Sequence, residues 1–193
     1  MEIDMDFEKF EINGNNTDFA EYFGDNAEDA RVRCAEKYAE AIKRLSALRM
    51  TVSTAESCTG GLIGKLFTDV PGSSAVFNGG IMAYVNDVKI GVLGVSEKTI
   101  DDHTEVSFEC AAEMAERTRI IFGADIGIAT TGFAGPSGGN EKDPVGTVYV
   151  AVVSKDKRLV FRASLGESTS RADIRLRSAY VAVMKLTEEF LNV

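Results

Sequence analysis

Serine, cysteine, lysine, histidine and arginine side chains in this chain stand where they could do chemistry. Ser57 belongs to the run Glu56-Ser57-Cys58-Thr59-Gly60-Gly61, between a β-branched stretch, Met50 to Thr54, and an apolar one, Leu62 to Phe67. That order reads as strand, glycine-rich turn, helix. At such a junction the N–H groups of Cys58, Thr59 and Gly60 should be free of helical partners, with the positive end of the helix dipole close by. The position suits an anion, or the oxyanion that forms when a carbonyl is attacked. It equally suits a structural turn in which Gly60 and Gly61 let a helix come near. Cys58 is a rival nucleophile, since a thiol at a helix N-terminus has a depressed pKa, although a buried structural cysteine is its simpler reading.

Lys89 lies five residues beyond Tyr84 and falls in the first turn of a short helix if Asn86 or Asp87 caps it. To act as a base near neutrality, a lysine must drop from ~10.4 to about 7–8. The dipole supplies a part of that shift, so burial must supply the rest. By itself Lys89 reads as a solvated surface lysine. His103 is the only histidine, so a histidine-dependent triad would need it; a surface loop is the simpler reading. The glycine-dense run Gly132-Phe133-Ala134-Gly135-Pro136-Ser137-Gly138-Gly139 suggests a ligand loop or mere mobility. Arg171 and Arg175, four apart on a helix, could clamp a phosphate, though solvated arginines are the common case. Gly60 and Gly64-Lys65 do not make a phosphate-binding P-loop, because the spacing is short and Leu66 follows the lysine.

The elements that must position these residues follow from periodicity. A helix starting at Asp29 places Cys34, Tyr38, Ala41, Leu45 and Leu48 on one face. Val76 to Val85 reads as a strand, Val88 to Val92 as a short helix, and the stretch after Ser107 as a helix with Met114, Ala115, Thr118, Ile121 and Phe122 inward. Strands are expected at Asp125 to Thr131, Gly146 to Ser154 and Arg158 to Leu165, the last two forming a hairpin. A closing helix from about Ser170 stacks Leu176, Tyr180, Val183, Leu186 and Phe190. The pattern predicts a three-layer α/β/α sandwich with a mixed β-sheet. In such a sheet ligands sit beyond the carboxyl ends of the strands, where the loops around Ser57, Tyr84 to Lys89 and Gly132 to Gly146 would converge.

Composition bounds the function. The chain has 193 residues, room for one domain and an appendage. Its net charge is −9, and residues 1–30 hold ten acids against Lys9 alone, so the rest is neutral overall. A neutral body with an acidic leader matches polyanions poorly, which argues against nucleic acid and membrane surfaces as partners. No apolar run reaches the ~18 residues a membrane helix needs. The three cysteines have no metal-like spacing, so neither a disulfide framework nor a metal site is expected, and the start shows no signal pattern. A cytoplasmic address follows as the expectation. The leader, residues 1–29, reads as a partly ordered tail, or as an arm docking its aromatics (Phe7, Phe10; Phe19, Tyr22, Phe23) on the body or on a second subunit.

Taken in order, Thr54 to Gly61, Pro71-Gly72-Ser73-Ser74, Tyr84-Val85-Asn86-Asp87-Val88-Lys89, Gly132 to Gly139 and Pro144-Val145-Gly146-Thr147-Val148 resemble the CinA C-terminal domain family, the bacterial nicotinamide-nucleotide amidohydrolases. The likeness runs over residues 30–193. It implies a deamidase of nicotinamide mononucleotide in pyridine-nucleotide salvage, needing no metal or cofactor and forming a homo-oligomer. Carried over by position, it implies Ser57 as nucleophile, Lys89 as general base, and Tyr84 and Ser74 as active-site hydroxyls. Substrate contacts would come from Cys58, Thr59, Gly60, Gly61, Asn86, Gly132, Phe133, Ala134, Gly135, Arg171 and Arg175. The chain departs from the family pattern at Val85, across His103-Thr104-Glu105-Val106-Ser107, and around Gly166 to Arg171. A catalytically silent nucleotide-binding or regulatory module is the alternative reading.

Overall fold

A computed structural model describes residues 6–13, 27–166 and 169–192. In chain order the elements are β1 (Glu8–Asn13), α1 (Ala27–Leu48), β2 (Val52–Glu56), α2 (Leu62–Thr68), β3 (Phe77–Met82), α3 (Asn86–Val88), α4 (Glu97–His103), α5 (Phe108–Ile121), β4 (Ile126–Gly132), β5 (Thr147–Val153), β6 (Arg158–Ser164) and α6 (Arg171–Phe190). A 3₁₀ turn, Ser73–Ala75, precedes β3, and a π turn, Lys89–Leu93, continues α3.

The strands form one six-stranded sheet in the order β1-β6-β5-β4-β2-β3. β2 runs parallel to both β3 and β4, whereas β5 is antiparallel to β4 and β6. The expected mixed sheet is therefore present. β5 alternates between two cores: Val148, Val150 and Val152 enter the one under α1, α2 and α6, while Tyr149, Ala151 and Val153 enter the one under α5. Helices on both faces explain why β4 and β5 read as continuous apolar runs.

Helix starts follow the residues that can cap them. The Ser107 hydroxyl accepts from the Cys110 N–H and the Ser170 hydroxyl from the Asp173 N–H, each satisfying an orphan donor of the first turn. Along α1, Cys34, Tyr38, Ala41 and Leu45 are all buried, and along α6 so are Tyr180, Val183 and Leu186. Gly127 lets α5 lie directly on β4: a Cβ there would stand 2.0 Å from the Ala115 carbonyl oxygen.

Several expectations are corrected. The tail reading fails over Glu8–Asn13, which pairs parallel with β6 and covers what would otherwise be an unpaired sheet edge. Phe10 stacks on Phe161 at 5.2 Å, and Lys9 pairs with Glu109 at 2.7 Å. The second aromatic patch, Phe19, Tyr22 and Phe23, lies outside the described residues. His103 ends helix α4, not a loop. Neither Asn86 nor Asp87 caps α3; Val85 holds the N-cap position without a side-chain bond. Ile121 is exposed and does not point inward.

Because the two nearest atoms a Gly127 Cβ would meet are backbone, they cannot move aside. Gly127→Ala should cost about 2–4 kcal/mol, the range of severe overpacking, read as a lower urea midpoint with an unchanged m value.

Candidate active site

The site forms at the carboxyl ends of β2 and β4. β2 ends at Glu56, whose buried carboxylate accepts the Ile63 N–H at 3.0 Å and the Gly64 N–H at 2.8 Å. This capping of α2 from the strand that precedes it fixes the length of the intervening turn. Ser57 continues the strand direction, its N–H donating to the Thr130 carbonyl at 2.9 Å. The Gly60 N–H closes back on the Ser57 carbonyl at 3.1 Å. Gly60 and Gly61 have φ of 59° and 87°, a conformation that costs glycine little. Thr59 is pinned twice more: its hydroxyl shares a 2.7 Å hydrogen bond with Thr130, and its carbonyl accepts from Arg175 Nη2 at 2.6 Å and Nε at 3.1 Å.

Lys89 arrives from the other wall. α3 and the π turn bury Lys89 and Leu93 while leaving Val92 outside. The Lys89 amine, 1% exposed, donates to Ser57 Oγ at 3.2 Å and, more weakly, to the Tyr84 carbonyl at 3.5 Å. No carboxylate lies within ion-pair distance of it among the described residues. Burial lowers its pKa from 10.5, opposed by the nearby Cys110, Glu105 and Cys58. Desolvation, rather than the helix dipole expected from a capped first turn, is thus the main cause.

The pair opens into a cleft of about 200 Å³ lined by Ser57, Cys58, Tyr84, Lys89, Glu105, Val106, Thr131, Gly132, Phe133, Ala134 and Arg171. Arg171, at the start of α6, donates to the Gly135 carbonyl at 2.7 Å and to the Tyr84 hydroxyl at 3.0 Å, so it ties the glycine-rich loop to the segment that follows β3. Cys58 is 5% exposed, and burial pushes its thiol up to about 12, the opposite of the helix-N-terminus expectation.

Not every residue singled out from the sequence reaches the cleft. Thr59, Gly60, Gly61, Asn86 and Arg175 are absent from its lining, and Gly135 contributes through its carbonyl to Arg171. Arg175 holds the Ser57 turn instead of an open phosphate position. Ser74 is exposed in the 3₁₀ turn ahead of β3. Since β3 runs parallel to β2, that turn lies at the far end of the five-residue strand that delivers Ser57, roughly 15 Å away at about 3.3 Å per residue. Ser74 therefore does not join Ser57 within one chain. His103 is exposed and lies outside the cleft. Glu56, Thr130, Thr131, Glu105 and Val106 were missed. A charged residue ending a β-branched strand was the signal for Glu56, and the carboxyl end of β4 the signal for Thr131.

A profile of the CinA C-terminal domain matches residues 35–190. The chain belongs to the CinA C-terminal domain family. It is 49% identical over 132 residues to a CinA-like protein of Fervidobacterium nodosum, a match covering 68% of this chain and 32% of that one. It thus spans about a third of the length of the curated relatives it matches. Among solved structures, a competence/damage inducible protein of Agrobacterium tumefaciens superposes with a TM-score of 0.76 at 37% identity, covering 79% of this chain and 93% of that one. The competence damage-inducible protein A of Klebsiella pneumoniae gives 0.77 at 30% identity, covering 81% and 96%. In this CinA-family chain the matched region contains the whole cleft. No helix among the described residues is long and apolar enough to cross a membrane, and no cluster of His, Cys, Asp and Glu among them could hold a metal.

A buried amine carries a thermodynamic signature. Between its lowered native pKa and 10.5, the unfolded chain binds more protons than the folded one, so stability rises with pH across that window. Lys89→Met keeps the unbranched stem and removes the charge. It should raise Tm at pH 7, by about 2–4 °C per kcal/mol gained, and flatten the rise toward alkaline pH. Thermal melts over a pH series check both, and a lower Tm at pH 7 would count against a penalty from the buried amine.

Proposed function

We propose that this chain is an amidohydrolase that deamidates nicotinamide mononucleotide to nicotinate mononucleotide and ammonia, with Ser57 as nucleophile and Lys89 as its base. The observation that carries the reading is the contact itself: a water-excluded amine, without a carboxylate partner, 3.2 Å from the hydroxyl of a strand-end serine.

Neutral Lys89 takes the Ser57 proton as Oγ attacks the carboxamide carbon, giving a tetrahedral oxyanion. The Cys58 and Thr59 N–H groups donate to no backbone carbonyl among the described residues and are the donors at hand for that charge. Protonated Lys89 then gives its proton to the departing nitrogen, ammonia leaves, and an acyl ester remains on Ser57. Water attacks the ester, Lys89 again accepting a proton, and on collapse Lys89 returns it to Ser57 as the acid departs. A cleft of about 200 Å³ is smaller than the ~300–1,000 Å³ that encloses a drug-sized ligand. It accommodates the ring and carboxamide, leaving ribose and phosphate toward the mouth, where Arg171 is exposed. Thiol chemistry at Cys58 is disfavoured by a pKa of about 12.

Ammonia release with nicotinamide mononucleotide tests the assignment. Ser57→Ala and Lys89→Ala should each lower kcat by about 10²–10⁴-fold, the scale of general-base and nucleophile removal, while Cys58→Ala retains turnover. The kcat/KM profile should rise with pH through a limb below the ordinary lysine value, as the amine loses its proton. Nucleotide binding by calorimetry with no turnover in the wild type would favour a silent binding module.

A further inference from the structure

Glu105 is the carboxylate in the described lining of the cleft, which the Lys89 amine and the Arg171 guanidinium also line. It has neither a hydrogen-bond nor an ion-pair partner for its side chain among the described residues. Its backbone, by contrast, is firmly held. The Thr131 hydroxyl donates to the Glu105 carbonyl at 2.6 Å, the Thr104 hydroxyl to the Val106 carbonyl at 3.2 Å, and the Ser107 hydroxyl to the Thr104 carbonyl at 3.0 Å. Thr104 sits at φ 72°, an uncommon conformation for a β-branched residue, and this bend turns the chain from α4 into the cleft wall. A partly buried carboxylate on a backbone fixed this tightly carries a desolvation cost that no described hydrogen bond or ion pair offsets.

We propose that Glu105 is a specificity residue, selecting amides carried on a cationic heteroaromatic ring by acting as counter-ion to that ring while its carboxamide meets Ser57. The inference rests on reading Ser57 and Lys89 as an amidohydrolase pair, and names what distinguishes their substrate. An N-glycosylated nicotinamide ring carries a full positive charge, and the carboxamide is one bond from it. With Ser57 fixing the carboxamide carbon, the ring lies in the same small cleft as Glu105. The charge also separates substrate from product, since hydrolysis replaces a neutral amide by a carboxylate that Glu105 repels. Lys89 feels the same group, together with Cys58 beside Ser57, Cys110 on α5 and the Tyr84 carbonyl.

The decisive comparison uses nicotinamide mononucleotide and its 1,4-dihydro form, which has the same carboxamide, ribose and phosphate on an uncharged ring. Ammonia release would be measured for both in the wild type, Glu105→Gln and Glu105→Ala. Dissociation constants for both would be measured by calorimetry in Ser57→Ala and in Ser57→Ala/Glu105→Gln. The wild type should prefer the cation, and the cation-to-neutral ratio of kcat/KM should fall about tenfold in both Glu105 variants, the scale of one partly solvated charge contact. The ratio of dissociation constants should fall alike, and nicotinate mononucleotide should inhibit Glu105→Gln more strongly than the wild type. An unchanged ratio, or equal losses on both ligands, overturns the proposal. Charge-selective binding lost in the Glu105 variant, with no turnover of either amide by the wild type, would overturn the amidohydrolase reading and leave the selection intact. Turnover of both with an unmoved ratio would do the reverse, and neither binding nor turnover would overturn both.

Discussion

A lysine amine withdrawn from water must either find an anion or give up its proton, and in this fold the nearest polar atom is a serine hydroxyl. Lys89 makes that choice visible. Its stem is packed beside Leu93 on the inner side of a π turn, its nitrogen faces Ser57, and carboxylates stay outside ion-pair reach among the described residues. The burial that lowers the amine's pKa also keeps water from the serine. It is also costly, and the surrounding framework offsets that cost. π turns are uncommon, and their recurrence at functional sites fits the need to bring one side chain inward without extending a helix.

The framework works by over-determining one short turn. Glu56 caps α2 from below, Thr130 receives the Ser57 N–H, and Arg175 donates twice to Thr59 from across the α1–α2–α6 layer. Parallel pairing of β2 with β4 aligns Glu56 with Thr130, so both carboxyl ends point at one cleft. β5 then runs the other way, which places the glycine-rich loop between β4 and β5 as the remaining wall. Arg171 closes that wall by reaching the loop carbonyl and Tyr84 together. A change at any of these anchors would move Ser57 relative to Lys89 and so alter their 3.2 Å contact.

The N-terminal strand shows a second constraint. Glu11 pairs with Arg162 at 3.2 Å, Arg162 Nε donates to Asp143 at 2.8 Å, and Asp143 also accepts from the Tyr149 hydroxyl at 2.9 Å. Asp143 belongs to the same loop that contributes Phe133 and Ala134 to the cleft. An acidic leader that reads as an appendage in composition thus supplies both an edge strand and a link to the loop.

How much was legible follows from which signals are local. The helices of the α1 and α6 faces, the β5–β6 hairpin and the turn at Gly60-Gly61 were readable, because periodicity, capping serines and glycine's positive φ act within a few residues. The position of Ser57 at a strand end was readable for the same reason, and the ordered motifs added the pairing with Lys89. β1 was missed because its pairing partner is about 150 residues away and its own sequence is charged. Ser74 was placed by motif and Arg175 by its spacing from Arg171, yet parallel β2–β3 pairing sends Ser74 to the opposite end of the sheet and α6 docking turns Arg175 onto a backbone carbonyl. The sequence by itself therefore determined the element types, the mixed α/β class and the chemical candidates, since these depend on side-chain identity and short-range spacing. Only the tertiary structure decided that Lys89 is dry, that burial pushes the Cys58 thiol up and that Glu105 lines the cleft, because desolvation and charge proximity arise from residues brought together across the sheet.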